Sequence, residues 1–211
     1  MSLLTPEITA HLTTLYSSPS RHYHNLSHVE SLLALLNEYR FHFQDAPAAE
    51  AAIWFHDAIY DPQTLKGDQN ELQSAELAGE MLTAAGVNTE QVERVTEMIE
   101  ATATHVLPCR FSEADIDTQG EARDVALFLD MDLSILGAEK LEYEWYEGMV
   151  RREYNWVGDH EWRVGRADDI EKEKEQKFIY HTDLFRGLFE DQARRNMRSS
   201  LDMLEGLPLY Q

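Results

Sequence analysis

Cysteine is nearly absent. Cys109 stands alone, so no internal disulfide can form and a reducing, cytoplasmic setting is expected. Nothing pairs it obviously with a catalytic base, and it reads as a small residue without a catalytic task. Long apolar runs are missing too: no stretch of 18 apolar residues occurs, so no transmembrane helix and no membrane partner are expected. The first twelve residues lack the basic-then-apolar order of a secretory signal. Positive charge is scarce, with 18 Lys and Arg against 39 Asp and Glu, a net charge of −21. Such a field repels nucleic-acid backbones, and no nucleic-acid partner is expected. Small phosphorylated substrates stay compatible, because a local cation and a few arginines outweigh a screened distant field. Finally, no linker rich in Pro, Gly or Ser, no internal repeat and no low-complexity tract interrupts the chain. A single domain spanning 1–211 follows.

What is present is helical periodicity, without a convincing alternating strand. Thr5 and Pro6 open a helix with Ile8, Leu12, Leu15 and Tyr16 on one face. After the polar stretch 17–25, Ser27 and Glu30 form a capping box for a helix that turns Leu32, Leu33, Leu36 and Tyr39 inward. A third helix follows Pro47, carries Ala51, Ala52, Trp54, Phe55 and Ile59, and is expected to end near Asp61-Pro62. Being apolar most of the way round, it belongs at the centre of the fold. Further helices are expected over 70–85 (stopped by Gly86), 88–104, 121–136 (stopped by Gly137), 139–157, 168–177 and 190–204. The fold class is therefore all-α, a bundle of about eight to nine helices. Tyr143, Trp145, Tyr146, Tyr154 and Trp156, at helical spacing, read as core packing rather than a base-stacking platform.

Two apolar frames contain residues that do not belong in a core. His56-Asp57 sits within Ile53-Trp54-Phe55…Ala58-Ile59-Tyr60, and Asp130 and Asp132 sit within Leu127-Phe128-Leu129…Leu133-Ser134-Ile135-Leu136. Burying a carboxylate costs several kcal/mol unless a cation or a hydrogen-bonding partner offsets it. One divalent ion would serve both segments, together with a histidine from the cluster His22, His24, His28. Two imidazoles and two carboxylates suit Mn, Mg, Co, Fe or Ni, and four protein ligands on an octahedral ion keep two positions open.

These residues resemble the HD-domain superfamily of metal-dependent phosphohydrolases, whose signature is a His, a His-Asp pair and a distant Asp on separate helices. The correspondence is His28, His56-Asp57 and Asp132, in that order. Tyr23-His24-Asn25-Leu26-Ser27-His28, Phe55-His56-Asp57-Ala58-Ile59-Tyr60-Asp61 and Asp132-Leu133-Ser134-Ile135-Leu136-Gly137 are similar to stretches of a bacterial group of predicted HD-superfamily phosphohydrolases. So are Thr102-Ala103-Thr104-His105 and Arg151-Arg152-Glu153-Tyr154, and the resemblance covers roughly residues 5–205. The segment 168–175 departs from it, being more charged than the apolar stretch expected there.

The resemblance implies one divalent ion on His28, His56, Asp57 and Asp132, and selects Asp132 over Asp130. It implies hydrolysis of a phosphate ester of a small molecule, such as a nucleotide, by activated water. Asp57 would also orient that water. His105, the one further histidine placed to join the site, would protonate the leaving oxygen, bind phosphate or cap a helix. Asp61 and Glu71 are general acid or base candidates, or solvated acids. His24 and Asn25 would orient His28 or contact substrate. Arg21, Arg151 and Arg166 are candidates for clamping phosphate, Arg151 alternatively an ion-pair partner. Two other outcomes fit the same residues: a catalytically silent protein that binds metal or nucleotide, and a di-iron oxygenase on the same fold. The latter requires a second iron, for which the chain has few spare histidines.

Overall fold

The computed structural model describes residues 2–63, 69–112, 116 and 120–206, and among them every regular element is helical. None of these helices is long and apolar enough to cross a membrane. The chain groups into two compact units that divide after Asp132.

The first unit is built around its third helix. Helix α1 (Pro6–Tyr16) starts where the Thr5 hydroxyl accepts the Ile8 N–H, and it buries Ile8, Leu12 and Tyr16. Helix α2 (Leu26–Glu38) buries His28, Val29, Leu32 and Leu36. Its cap is Asn25, not the expected Ser27: the amide oxygen accepts the Ser27 N–H at 2.9 Å while the amide nitrogen donates to the His22 carbonyl at 2.8 Å. Helix α3 (Ala46–Phe55) has Ala48, Ala49, Ala51, Ala52, Ile53 and Phe55 at 0% exposure. Small residues on several sides let α1, α2, α4 (Gln69–Ala84), α5 (Thr89–Ala101) and α6 (Glu121–Asp132) all pack against it. Its start is fixed by the buried Asp124 of α6, whose carboxylate accepts the Gln44 and Asp45 N–H groups at 2.8 and 2.7 Å.

Several boundaries differ from expectation, two of them at the site. Helix α3 stops at Phe55 and does not reach Asp61-Pro62. The helix expected over 121–136 is α-helical only to Asp132, then tightens into a 3₁₀ segment over Leu133–Gly137. Gly86 ends α4 as expected, at φ +81°, a conformation that glycine alone adopts without penalty.

The second unit contains that 3₁₀ segment, α7 (Lys140–Glu153), α8 (Asp159–Glu175) and α9 (Asp191–Gly206), with a helical turn over Asp183–Phe185 and a π-helical turn over Arg186–Glu190 before α9. Helix α8 begins nine residues before the expected 168 and buries only Ile170, which explains its charged sequence. Asn196 of α9 clamps the 3₁₀ segment by donating to the Leu136 and Ala138 carbonyls at 2.9 and 2.8 Å. Tyr143 packs inside as expected, but Trp145 and Trp156 are 51% and 47% exposed and do not fill this core.

Candidate metal centre

The reason α3 ends at Phe55 also shapes the site. In a continuing helix the Asp57 N–H would bond the Ile53 carbonyl. That carbonyl instead accepts the His56 Nδ1–H at 2.9 Å, and the Asp57 N–H donates to the Tyr16 hydroxyl at 3.2 Å. A carbonyl can only accept, so His56 carries its proton on Nδ1 and, when neutral, presents a lone pair on Nε2. The chain leaves the helical path just where the His-Asp pair has to point both side chains at one place.

That place is shared with α2 and α6. His28 Nε2 lies 3.1 Å from His56 Nε2. Asp57 Oδ2 is 3.1 Å from His56 Nε2 and 3.8 Å from His28 Nε2. Asp132 Oδ1, at the last residue of α6, is 3.2 Å from His28 Nε2 and 3.6 Å from His56 Nε2. Ligating atoms of His28, His56 and Asp57 all fall within 4.8 Å of one another, and Asp132 joins through both imidazoles. With bonds of about 2.1 Å, neighbouring ligands lie about 3.0 Å apart around an octahedral ion and about 3.4 Å apart around a tetrahedral one. The observed spacings of 3.1–3.8 Å match such a shell, and two neutral imidazoles with two carboxylates would balance a divalent charge. The donor set therefore fits the ion that the sequence implied.

Burial opposes charge at His56, Asp57 and Asp132, yet close pairing overrides it. At His56 burial lowers the imidazole pKa, but the Asp57 and Asp132 carboxylates more than compensate and hold it well above its ordinary 6.5. Burial likewise works against the Asp57 carboxylate, and His56, His24 and His28 still bring it well below its ordinary range. Asp132 is lowered in the same way, with His56 and His105 outweighing its burial. Without a cation, then, the two carboxylates favour the protonated form of His56, and a divalent ion would compete with the proton on Nε2. Burial, reinforced by the charge of Asp57, raises the Tyr16 phenol well above 10, so this hydroxyl keeps its proton.

His105 follows α5 at φ +50°, a left-handed conformation that costs a non-glycine residue about 1–2 kcal/mol. The turn places its Nε2 3.0 Å from Asp132 Oδ2, the oxygen turned away from the two imidazoles. There it orients the carboxylate.

The remaining candidates are distributed differently. His24 is partly exposed and stacks on Tyr60 with ring centroids 4.4 Å apart. Asn25 spends both ends of its amide on the α2 cap. Asp61 is exposed, and its Oδ1 accepts the Gln63 N–H at 2.9 Å, as in a turn. Glu71 sits partly buried in the first turn of α4. Arg21, expected to clamp phosphate, donates to the backbone carbonyls of His24, Asp57 and Ala58 at 3.1, 2.5 and 2.8 Å. The other two arginines lie in the second unit. Arg151 donates to the Tyr154 and Val157 carbonyls and pairs with Asp159 at 2.7 Å, joining α7 to α8. Arg166 pairs with Glu147 at 2.5 Å and reaches the Tyr146 hydroxyl at 3.1 Å. Both have internal partners of the kind anticipated for Arg151.

Tyr16 is the participant that sequence reasoning missed. Periodicity assigned it to the buried face of α1, which is correct, but gave no task to its hydroxyl. A tyrosine closing an otherwise aliphatic stripe was the available signal, because a buried phenol needs a polar partner. The chain matches no protein-family model, no curated protein and no solved structure.

Proposed function

We propose that the first unit is an HD-type metal centre that holds one divalent cation on His28, His56, Asp57 and Asp132 and hydrolyses a phosphate ester of a small molecule. The observation that carries this reading is the convergence of two imidazole Nε2 atoms and two carboxylate oxygens at 3.1–3.8 Å, from three helices, in an otherwise apolar interior. Carboxylates at such depth need a cation, and nitrogen–oxygen shells of this kind serve hydrolytic metals. When bound, the ion would supply a lowered water pKa and neutralise charge on the phosphoryl group.

The protein's own part is positional and acid–base. His56 keeps its proton on Nδ1, tied to the Ile53 carbonyl, so Nε2 is the atom offered inward. His105 holds Asp132 by Oδ2 and leaves Oδ1 facing the imidazoles. Asp57 turns Oδ2 to the imidazoles, and its carboxylate would orient the attacking water and accept its proton. His24, stacked on Tyr60 near the Asp57 carboxylate, lines the approach from the partly exposed side.

The test is a screen of nucleotides and sugar phosphates with added Mn²⁺, Mg²⁺, Co²⁺, Fe²⁺ or Ni²⁺, reading phosphate release. Release by the wild type and its loss in Asp57→Ala is the expected outcome. A metal-loaded protein that releases phosphate from none of them would sink the hydrolase reading.

A further inference from the structure

The Asp57 peptide has both of its polar groups held by side chains from outside its own helix. Its N–H donates to the Tyr16 hydroxyl at 3.2 Å, and its carbonyl accepts from Arg21 Nη1 at 2.5 Å. The same guanidinium continues to Ala58 O at 2.8 Å and reaches back to His24 O at 3.1 Å. Arg21 therefore ties the loop that leads into α2, which carries His28, to the segment that carries His56 and Asp57. Aromatic faces fix the guanidinium itself, with the Tyr16 ring centroid 5.0 Å away and the Tyr60 centroid 5.5 Å away. Tyr16 is 1% exposed, and the i−4 carbonyl that the Asp57 N–H would otherwise use is occupied by His56.

From this geometry we infer that Tyr16 and Arg21 are positioning residues, a bracket that holds the Asp57 peptide off the α3 hydrogen-bond ladder and thereby sets the His56 tautomer and the aim of both side chains. The logic is a competition for one acceptor. Without Tyr16 the Asp57 N–H would have only a share of the Ile53 carbonyl that the His56 Nδ1–H already holds, which loosens the hold on both the amide and the imidazole. His56 would then be free to rotate or change tautomer, and Nε2 would no longer be held as the inward lone pair. Arg21 works on the carbonyl side of the same residue, holding the Asp57 and Ala58 carbonyls where they lie off the helical path. Lysine cannot replace it, because a single ammonium cannot span three carbonyls or lie flat between two rings.

The inference rests on the metal-site reading, and the experiment separates the two. Tyr16→Phe, Arg21→Lys and Arg21→Gln are titrated with Co²⁺ alone, following the visible ligand-field spectrum. Exchange of the Asp57 amide is followed without metal, and thermal unfolding confirms that each variant folds. Expected is a loss of Co²⁺ affinity of about 10–100-fold with an altered spectrum, as for other groups that orient metal ligands. Faster exchange of the Asp57 amide should accompany it in Tyr16→Phe, and Arg21→Lys should not rescue. Folded variants that bind Co²⁺ with wild-type affinity and spectrum would overturn the bracket. If the wild type takes up no metal, the metal-site reading falls by itself. The bracket is then decided by the amide: unchanged protection in Tyr16→Phe refutes it, and lost protection upholds it.

Discussion

Replacing Asp132 by Asn removes one carboxylate from the cluster while nearly preserving its volume, and the consequence depends on pH in a direction the structure fixes. In metal-stripped protein Asp57 Oδ2 at 3.1 Å and Asp132 Oδ1 at 3.6 Å favour the protonated form of His56. Because its pKa is raised in the folded state, the stabilisation it gives is fully present below the unfolded value of 6.5 and is lost as pH rises through the higher folded value. Breaking a fully buried pair costs about 3–5 kcal/mol and an exposed one about 0–1. The Asp132 side chain is 14% exposed and Asp57 stays beside His56, so an intermediate cost of about 2 kcal/mol is expected near pH 6. For a chain of this length that lowers Tm by about 4–8 °C. Above the folded His56 value the imidazole is neutral and two carboxylates face each other without a counter-charge. There Asp132→Asn should be neutral or stabilising. Urea or thermal unfolding in a chelator, run as a pH series upward from about pH 6, follows the change. A loss of stability that does not diminish as pH rises would refute the ionisation scheme.

Other consequences are simpler. Mn²⁺ at a hundredfold excess over its dissociation constant should stabilise the wild type by about 2.7 kcal/mol, and His56→Ala should abolish that increment in a thermal-shift series. Gly137→Ala should destabilise by about 1–3 kcal/mol in chemical unfolding, since overpacking costs of this order arise where nothing can give way. A Cβ at Gly137 would stand 2.5 Å from Phe189 Cβ and 2.8 Å from its carbonyl oxygen, so a wild-type stability would refute that close approach. Gly86→Ala, at φ +81° with open space around it, should cost about 1 kcal/mol from backbone conformation alone, measured the same way.

Periodicity located the helices because each lays an apolar stripe on a core, and the alanine-rich third helix declared its central place by being apolar all round. His56, Asp57 and an acidic pair at 130 and 132 were legible for the opposite reason, since a histidine and carboxylates inside apolar frames demand an explanation. His28 and the choice of Asp132 over Asp130 came instead from the resemblance to the HD-domain superfamily. The end of α3 was not legible. It depends on a contest for the Ile53 carbonyl, settled by Tyr16 from forty-one residues away in the chain, and no local pattern encodes that partner. Arg21 misled for a related reason. A guanidinium beside a proposed phosphate site suggests a clamp, yet three backbone carbonyls left without helical partners are equally good acceptors, and they are closer. The charged run 168–175 was hard to assign since α8 buries a single side chain, so it carries almost no stripe to read.

Calorimetric titration of chelator-stripped protein with Mn²⁺, run beside His56→Ala, bears most directly on whether this cluster is a metal centre. One ion per wild-type chain, taken up with proton release and lost in the variant, is the predicted result. No uptake, or uptake that His56→Ala leaves unchanged, would contradict it.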